Sequence, residues 1–173
     1  MGEYLGMRIV VAPNDYEHLG YFQAARQHKL VVQKCNDCGL MRAFPGTACL
    51  FCTSLSWEWV EVSGKGHIYS YQIVMQAIQP SFRDWVPYPT VIVELDEQKE
   101  IPWREPAEGH TVSMRILANL VRADDPTQPE IEENVAIGKR VQAVFIDVDD
   151  EIGVVQFALS DEAPEHEPRR VSV

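Results

Sequence analysis

The stretch "CNDCGLMRAFPGTACLFC", residues 35–52, holds every cysteine of the 173-residue chain. It contains two Cys-x-x-Cys knuckles, Cys35/Cys38 and Cys49/Cys52, separated by ten residues. Two intervening residues let a tight turn point both sulfurs of a knuckle at one ion. Four thiolates in a tetrahedron suit Zn²⁺, which has no redox chemistry of its own. Gly39, directly after the second cysteine, tolerates positive φ, and Thr53 and Ser54 follow the fourth, where turn formers are expected. Between the knuckles, Pro45-Gly46 is a turn signal. The stretch therefore reads as a zinc ribbon: knuckle, short hairpin, knuckle. Two disulfides would use the same residues, but the chain looks cytosolic, where thiols stay reduced. A thioredoxin-like redox pair needs a single Cys-x-x-Cys in a βαβ setting, and neither condition is met. Iron accepts the same four ligands, so the residues leave zinc and iron both open. An all-cysteine site has no vacant position for water or substrate, so the metal is expected to hold structure and not to catalyse.

Around the ribbon the composition is that of a chain able to bury a core, with 46% hydrophobic and 9% aromatic residues. No apolar run is long enough to span a bilayer. "MGEYLGMRIVVAPNDYEH" at the N-terminus has no basic n-region and no cleavage-like site, so a cytoplasmic location is expected. The net charge of −11 opposes a phosphate backbone and argues against general nucleic-acid binding. Arg26, His28, Lys29, Lys34 and Arg42 lie close together in the sequence, and read as a solvated face beside the knuckles.

Residues Asn14 to Leu30 read as a helix, capped by Asn14 or Asp15, with Leu19, Phe22, Ala25 and Tyr21 as its apolar stripe. "LVVQK" leads into the first knuckle as a strand, and "WEWVEV" leaves the second. "SGKG" breaks the chain before "HIYSYQIVMQAI", in which Tyr69, Tyr71, Ile73 and Met75 alternate onto one face. "TVIVELDEQ" places Val91, Val93 and Leu95 on one side. "TVSMRILANLV" does the same with Val112, Met114, Ile116, Ala118 and Leu120. "PEIEENVAIGKR" suits a short helix closed by Gly138, and "VQAVFIDVD" and "VVQFAL" complete the strands. "SDEAPEHEPRRVSV" reads as a loose polar tail. The class is mainly β: an N-terminal helix, a rubredoxin-like zinc ribbon, then a five-stranded OB-fold barrel, with an open sheet as the alternative. The expected divisions are an N-terminal helical segment over 1–34, the ribbon over 35–62, the OB-fold over 63–160 and the tail over 161–173.

The order "YFQAARQHKLVVQKCNDCG", "FPGTACLFC", "WEWVEVSGKGHIYSYQIV", "GKRVQAVF" resembles the DUF35 family over residues 16 to 159. Members of that family join a zinc ribbon to an OB-fold and are associated with acyl-CoA. The resemblance implies a small subunit working beside a thiolase-like enzyme in a hetero-oligomer, with the OB-fold helping to hold acyl-CoA or to shape the partner's active site. Thiolases and retro-aldolases of steroid side-chain or aromatic-compound breakdown are enzymes of this kind. Cys35, Cys38, Cys49 and Cys52 match the family's ribbon ligands.

No self-contained catalytic constellation is visible. The four cysteines are committed to metal, no nucleophile elbow surrounds Ser63 or Ser70, and "SGKGH" is too short for a phosphate loop. His67 stands at a strand start beside Lys65. His18 and His28 belong to the helical region, and His110 and His166 to polar segments. The carboxylate pairs Asp124-Asp125, Glu132-Glu133 and Asp149-Asp150 read as solvated loops; "DVDDE" lacks a calcium-loop pattern. "SFRDWVPYP" carries Phe82, Trp85 and Tyr88 around Arg83. These residue types carry interface energy or cover an acyl chain, and equally could fold down as a barrel plug. Lys65, Arg83 and Lys139 are the cations considered for CoA phosphates. The expected function is a non-catalytic accessory subunit that binds a thiolase-fold partner and helps form its acyl-CoA site for C–C bond cleavage or formation. The alternatives are a stand-alone acyl-CoA-binding protein or enzyme and, less favoured, a nucleic-acid module.

Overall fold

The computed structural model describes residues 2–98 and 113–170. Its organising strand is β6 (Lys65–Val74), which pairs with two neighbours at once. Antiparallel pairing with β7 (Tyr88–Leu95) runs from Gly66↔Leu95 to Val74↔Tyr88. Over its first residues β6 also pairs with β9 (Arg140–Asp147), from Lys65↔Gln142 to His67↔Arg140. β7 pairs antiparallel with β8 (Arg115–Val121), β8 parallel with β10 (Gly153–Leu159), and β10 antiparallel with β9. The strands close in the order β6-β7-β8-β10-β9, the five-stranded barrel expected of an OB-fold.

Gly66 sits where β6 is shared between the two sides of the barrel. A Cβ there would lie 2.3 Å from the Glu94 carbonyl oxygen, so only glycine permits the approach. Two residues on, a bulge between Ile68 and Ser70 corrects the expected alternation. Ile68 is fully buried, while Tyr69 is thrown outward at 43% exposure; Tyr71 then packs on the core opposite Val91. The extra residue reverses inside and outside. Met75, expected on the Tyr71 face, lies past the strand end and is exposed.

The expected alternation holds in β7, where Val91, Val93 and Leu95 are all buried, and in β8, where Ile116 and Leu120 are. Val112, assigned to the same face as Met114, lies outside the described residues, as does His110. With Phe157 these side chains fill the barrel, each large one contributing about 1.5–3 kcal/mol on burial. The same apolar cluster takes in Leu30 and Val32 of β3 (Leu30–Cys35) and Val62 of β5 (Trp57–Val62). These strands belong to a three-stranded sheet, order β4-β3-β5, with β4 at Met41–Arg42. Ribbon and barrel thus share one core.

The helix α1 (Tyr16–Arg26) is shorter at both ends than expected. Asp15 caps it, its side chain accepting from the His18 amide at 3.2 Å. At the other end the His28 amide donates to Ala25 O and the Lys29 amide to Ala24 O, with His28 at φ 58°. That is a Schellman stop with histidine where glycine is usual. His28 is held there by stacking on Phe145 (centroids 5.5 Å apart) and by Asp147 at 3.1 Å.

Three other segments depart from expectation. β3 is the strand expected of "LVVQK", but ahead of the helix the chain also forms an unexpected hairpin of β1 (Gly2–Tyr4) and β2 (Met7–Ile9). The hairpin places Tyr4 under the barrel, where its hydroxyl accepts from Gln156 Nε2 at 3.2 Å and burial raises its pKa to about 12. In place of a short helix before β9, a single 3-10 turn covers Glu132–Asn134. The expected loose tail is tied at two points up to Arg169. Glu162 pairs with Lys65 and Arg140, and Arg169 and Ile137 exchange backbone hydrogen bonds of 2.8 and 2.9 Å. The cause is Arg140, buried on β9, whose charge is answered by Asp96 at 2.5 Å and Glu162 at 3.0 Å.

Gly66→Ala is expected to lower stability by about 2 kcal/mol, seen as a lower urea midpoint at unchanged slope. Gly46→Ala, where a Cβ meets nothing within 4 Å, is the control and should leave the midpoint in place.

Candidate metal centre

Both knuckles are built to one backbone plan, offset by fourteen residues. In the first, the Gly39 amide donates to Cys35 O and the Cys35 amide to Leu40 O, both at 2.9 Å. In the second, the Thr53 amide donates to Cys49 O at 2.9 Å and the Cys49 amide to Ser54 O at 2.8 Å. The residue after each second cysteine is left-handed: Gly39 at φ 74° and Thr53 at φ 61°. Only the first uses glycine, which masks the repeat in the sequence. Thr53 adopts the strained geometry because both ends of the turn are hydrogen-bonded into it.

The four sulfurs lie within 4.8 Å of one another. Cys35 and Cys52 are 3.5 Å apart and Cys38 and Cys49 3.6 Å, too far for a disulfide bond of about 2.05 Å. Ligands about 2.3 Å from a tetrahedral ion would be about 3.8 Å from one another, close to the separations of 3.5 and 3.6 Å seen here. The electrostatics agree. Backbone amides of Cys38 and Asp37 lower the Cys35 thiol to about 6. At Cys52 the Ser54 amide also favours the thiolate, but desolvation and the three other sulfurs outweigh it and hold the thiol up to about 12. Four thiolates do not share this space without a cation, and a bound divalent ion supplies the missing charge. With every position filled by sulfur, such an ion would fasten the fold and would leave no site for substrate.

Two buried glutamines, unremarked in the sequence, brace the centre. Gln33 on β3 accepts from Arg42 Nε at 2.7 Å and from the Gly46 amide at 2.9 Å. Arg42 in turn donates to Ala48 O and Gly46 O, at 2.5 and 2.6 Å, fixing the loop between the knuckles. Gln98, just after β7, accepts from the Met41 amide at 2.9 Å and donates to Met41 O at 3.0 Å. Its side-chain amide stands in for a neighbouring strand and ties ribbon to barrel. Glutamine at ordinary spacing carries no signal of such a role. Arg42, grouped in the sequence with a solvated basic face, is instead committed to this loop.

The other singled-out residues do not converge. Lys65 is engaged by Glu162, and Lys139 Nζ donates to Asn134 O at 2.6 Å. Arg83 is exposed in the loop beyond the far end of β6, about 30 Å of strand away from Lys65. Trp85 is buried, its Nε1 donating to Thr127 O at 2.9 Å, with Tyr4, Phe82 and Tyr88 packed around it at centroid distances of 5.4–6.4 Å. Phe82 and Tyr88 are half-buried. His67 faces Glu94 at 3.8 Å, and Glu94 also takes Arg115 at 2.9 Å and the Ser113 hydroxyl. Despite its partial burial, Glu94 is lowered by the donors Ser113 and Arg115. No helix among the described residues is long and apolar enough to cross a membrane.

Comparison with known proteins matches the two halves separately. The family model described as "ChsH2, rubredoxin-like zinc ribbon domain" covers residues 22–58, and that described as "ChsH2, C-terminal OB-fold domain" covers residues 59–146. A probable enoyl-CoA hydratase alpha subunit of Thermomonospora curvata is 40% identical over 77 residues, 44% of this chain. The chain spans only 24% of that relative's length. A DUF35 domain-containing scaffold protein of Methanocaldococcus jannaschii is 28% identical over 131 residues, 74% of this chain and 77% of its own. Among solved structures, the Ltp2-ChsH2(DUF35) aldolase superposes with a TM-score of 0.64 at 28% identity, covering 88% of this chain and 98% of that one.

The purified protein is expected to carry a single equivalent of zinc or iron by elemental analysis. Cys49→Ser should lose it and cost about 3 kcal/mol or more, a fall of about 6–12 °C in Tm. Full stability with no metal bound would refute the structural role.

Proposed function

The chain belongs to the ChsH2 family of zinc-ribbon and OB-fold proteins, and from that premise we propose that it is a non-catalytic accessory subunit of a thiolase-fold enzyme. In this reading it binds the enzyme subunit in the cytoplasm and completes its acyl-CoA site for C–C bond cleavage or formation. The likeness to the Ltp2-ChsH2(DUF35) aldolase carries the reading, since 98% of the matched chain of that structure finds its counterpart here. A relative named as a subunit of an enoyl-CoA hydratase supports the same chemistry of CoA thioesters. The disposition of the thiols agrees: all four of the chain's cysteines gather at the ribbon, leaving none as a nucleophile. Structural Zn²⁺ is the ion assigned to them, on the donor set and on the ribbon match.

Lys65 and Lys139 are the cations we assign to a CoA phosphate. The Lys139 carbonyl accepts from the Ile68 amide, three residues along β6 from Lys65. A phosphate would compete with Glu162 for Lys65. Arg83 could serve a CoA only where the ligand reaches the other end of β6. Of the loop aromatics, Phe82 and Tyr88 retain exposed surface for an acyl chain or partner, and Trp85 would act by supporting them from beneath. The fourfold division into an N-terminal segment, ribbon, barrel and tail belongs to the same proposal.

The test is recovery of the tagged full chain from its native host, with mass spectrometry of what accompanies it. A thiolase-like protein in near-equal amount is the expected result, with acyl-CoA turnover by the pair and none by this chain alone. Turnover by the isolated chain would overturn the accessory role.

A further inference from the structure

A cavity of about 690 Å³ is lined by residues of neither the metal centre nor the proposed CoA face. β2 and the segment after it form one wall, α1 the second, and the turn joining β9 to β10 the third. Its lining is divided. Ile9, Val10, Val11, Leu19 and Ile152 are apolar, with Val10 63% exposed. Opposite stand Asp149, Asp150 and Glu151.

Arg26, the one cation among the described residues of the lining, is already spent: Nε donates to Asp149 O at 2.7 Å and a terminal nitrogen meets Asp147 at 3.1 Å. His28 faces Asp147 too. Asp149 is occupied within its own turn, accepting from the amides of Glu151 and Ile152 at 2.9 and 3.0 Å. Asp150 and Glu151 have no partner among the described residues and stand free at the rim. The turn is also fixed in place, since a Cβ on Gly2 would lie 1.9 Å from Val148 O. A preformed apolar trough with a fixed acidic rim loses little order on binding.

That arrangement selects its occupant by charge. A second copy of this chain, at −11, is repelled, and so are a nucleic-acid backbone and an anionic lipid surface. We infer that the groove is the docking site for a basic amphipathic segment of the enzyme subunit, with apolar side chains between Val10 and Leu19 and a lysine or arginine at Asp150 and Glu151. The identity of the partner rests on the accessory-subunit reading; the groove itself does not.

The experiment uses the full chain and the enzyme subunit recovered with it. Asp150→Lys/Glu151→Lys and, separately, Val10→Asp are compared with the parent for melting temperature, to establish folding, and then for affinity. Each variant should weaken the complex at least about tenfold. Raising salt from about 50 to 500 mM should weaken the parent complex far more than the charge-reversed one. A zero-length carboxyl–amine cross-link should join Asp150 or Glu151 to the partner. Parent-like affinity in both folded variants overturns the groove and leaves the accessory role standing. Failure to recover any thiolase-like subunit removes the accessory role instead. The groove is then decided by a designed peptide of about 16 residues, with leucines at helical spacing and lysine flanks. Saturable binding lost in both variants supports it. Equal binding of the same residues scrambled, or no binding, overturns it.

Discussion

Four sulfurs held within 4.8 Å impose the constraint on which the ribbon is built. Without a cation they cannot all be thiolates, and with one they are drawn into a single centre. Two chain segments that would otherwise diverge are pinned together there. Cys35 is the last residue of β3 and pairs across the sheet with Trp57, the first of β5. The centre therefore fixes the register in which β3 and β5 run down to the barrel, and Leu30, Val32 and Val62 carry that register into the common core. Gln98 repeats the tie from the other side by bonding both backbone groups of Met41.

How much of this could be read in the chain depended on whether the signal was local. Cys-x-x-Cys spacing is, and so is the alternation of Val91, Val93 and Leu95; both are realised as expected. The residues narrow the cap to Asn14 or Asp15, and Asp15 fills it. The far end of α1 was hidden because His28, not glycine, takes the left-handed stop, and what holds it is Phe145 and Asp147, over a hundred residues on. The bulge at Tyr69 left no mark, since a run of alternating residues gives no hint that the pleat will skip one. The hairpin β1–β2 was too short for its period to be seen. Gln33, Arg42 and Gln98 are ordinary polar residues whose partners are set by tertiary structure alone.

The molecule separates its chemistries by region. Metal-ligating sulfur sits at the ribbon and the aromatic group under the barrel, around Tyr4 and Trp85. The His67–Glu94–Arg115 cluster occupies the outer wall, and unbalanced negative charge the turn after β9. The proposed subunit role would draw on several such surfaces, because holding a neighbour and shaping its ligand site are different tasks. The shared core keeps those surfaces at fixed distances from one another.

The seam of the barrel adds a last point. Only two residues separate the end of β5 from the start of β6, yet β6 closes the barrel by pairing Lys65 with Gln142, more than seventy residues away. The ribbon's own pairings span at most the stretch from Leu30 to Val62. Closing a longer loop costs more chain entropy and delays the contacts that repay it. The order of assembly is thus weighted toward the ribbon, whose completed sheet offers Val62 and the start of β6 as a ready edge for strands that arrive later.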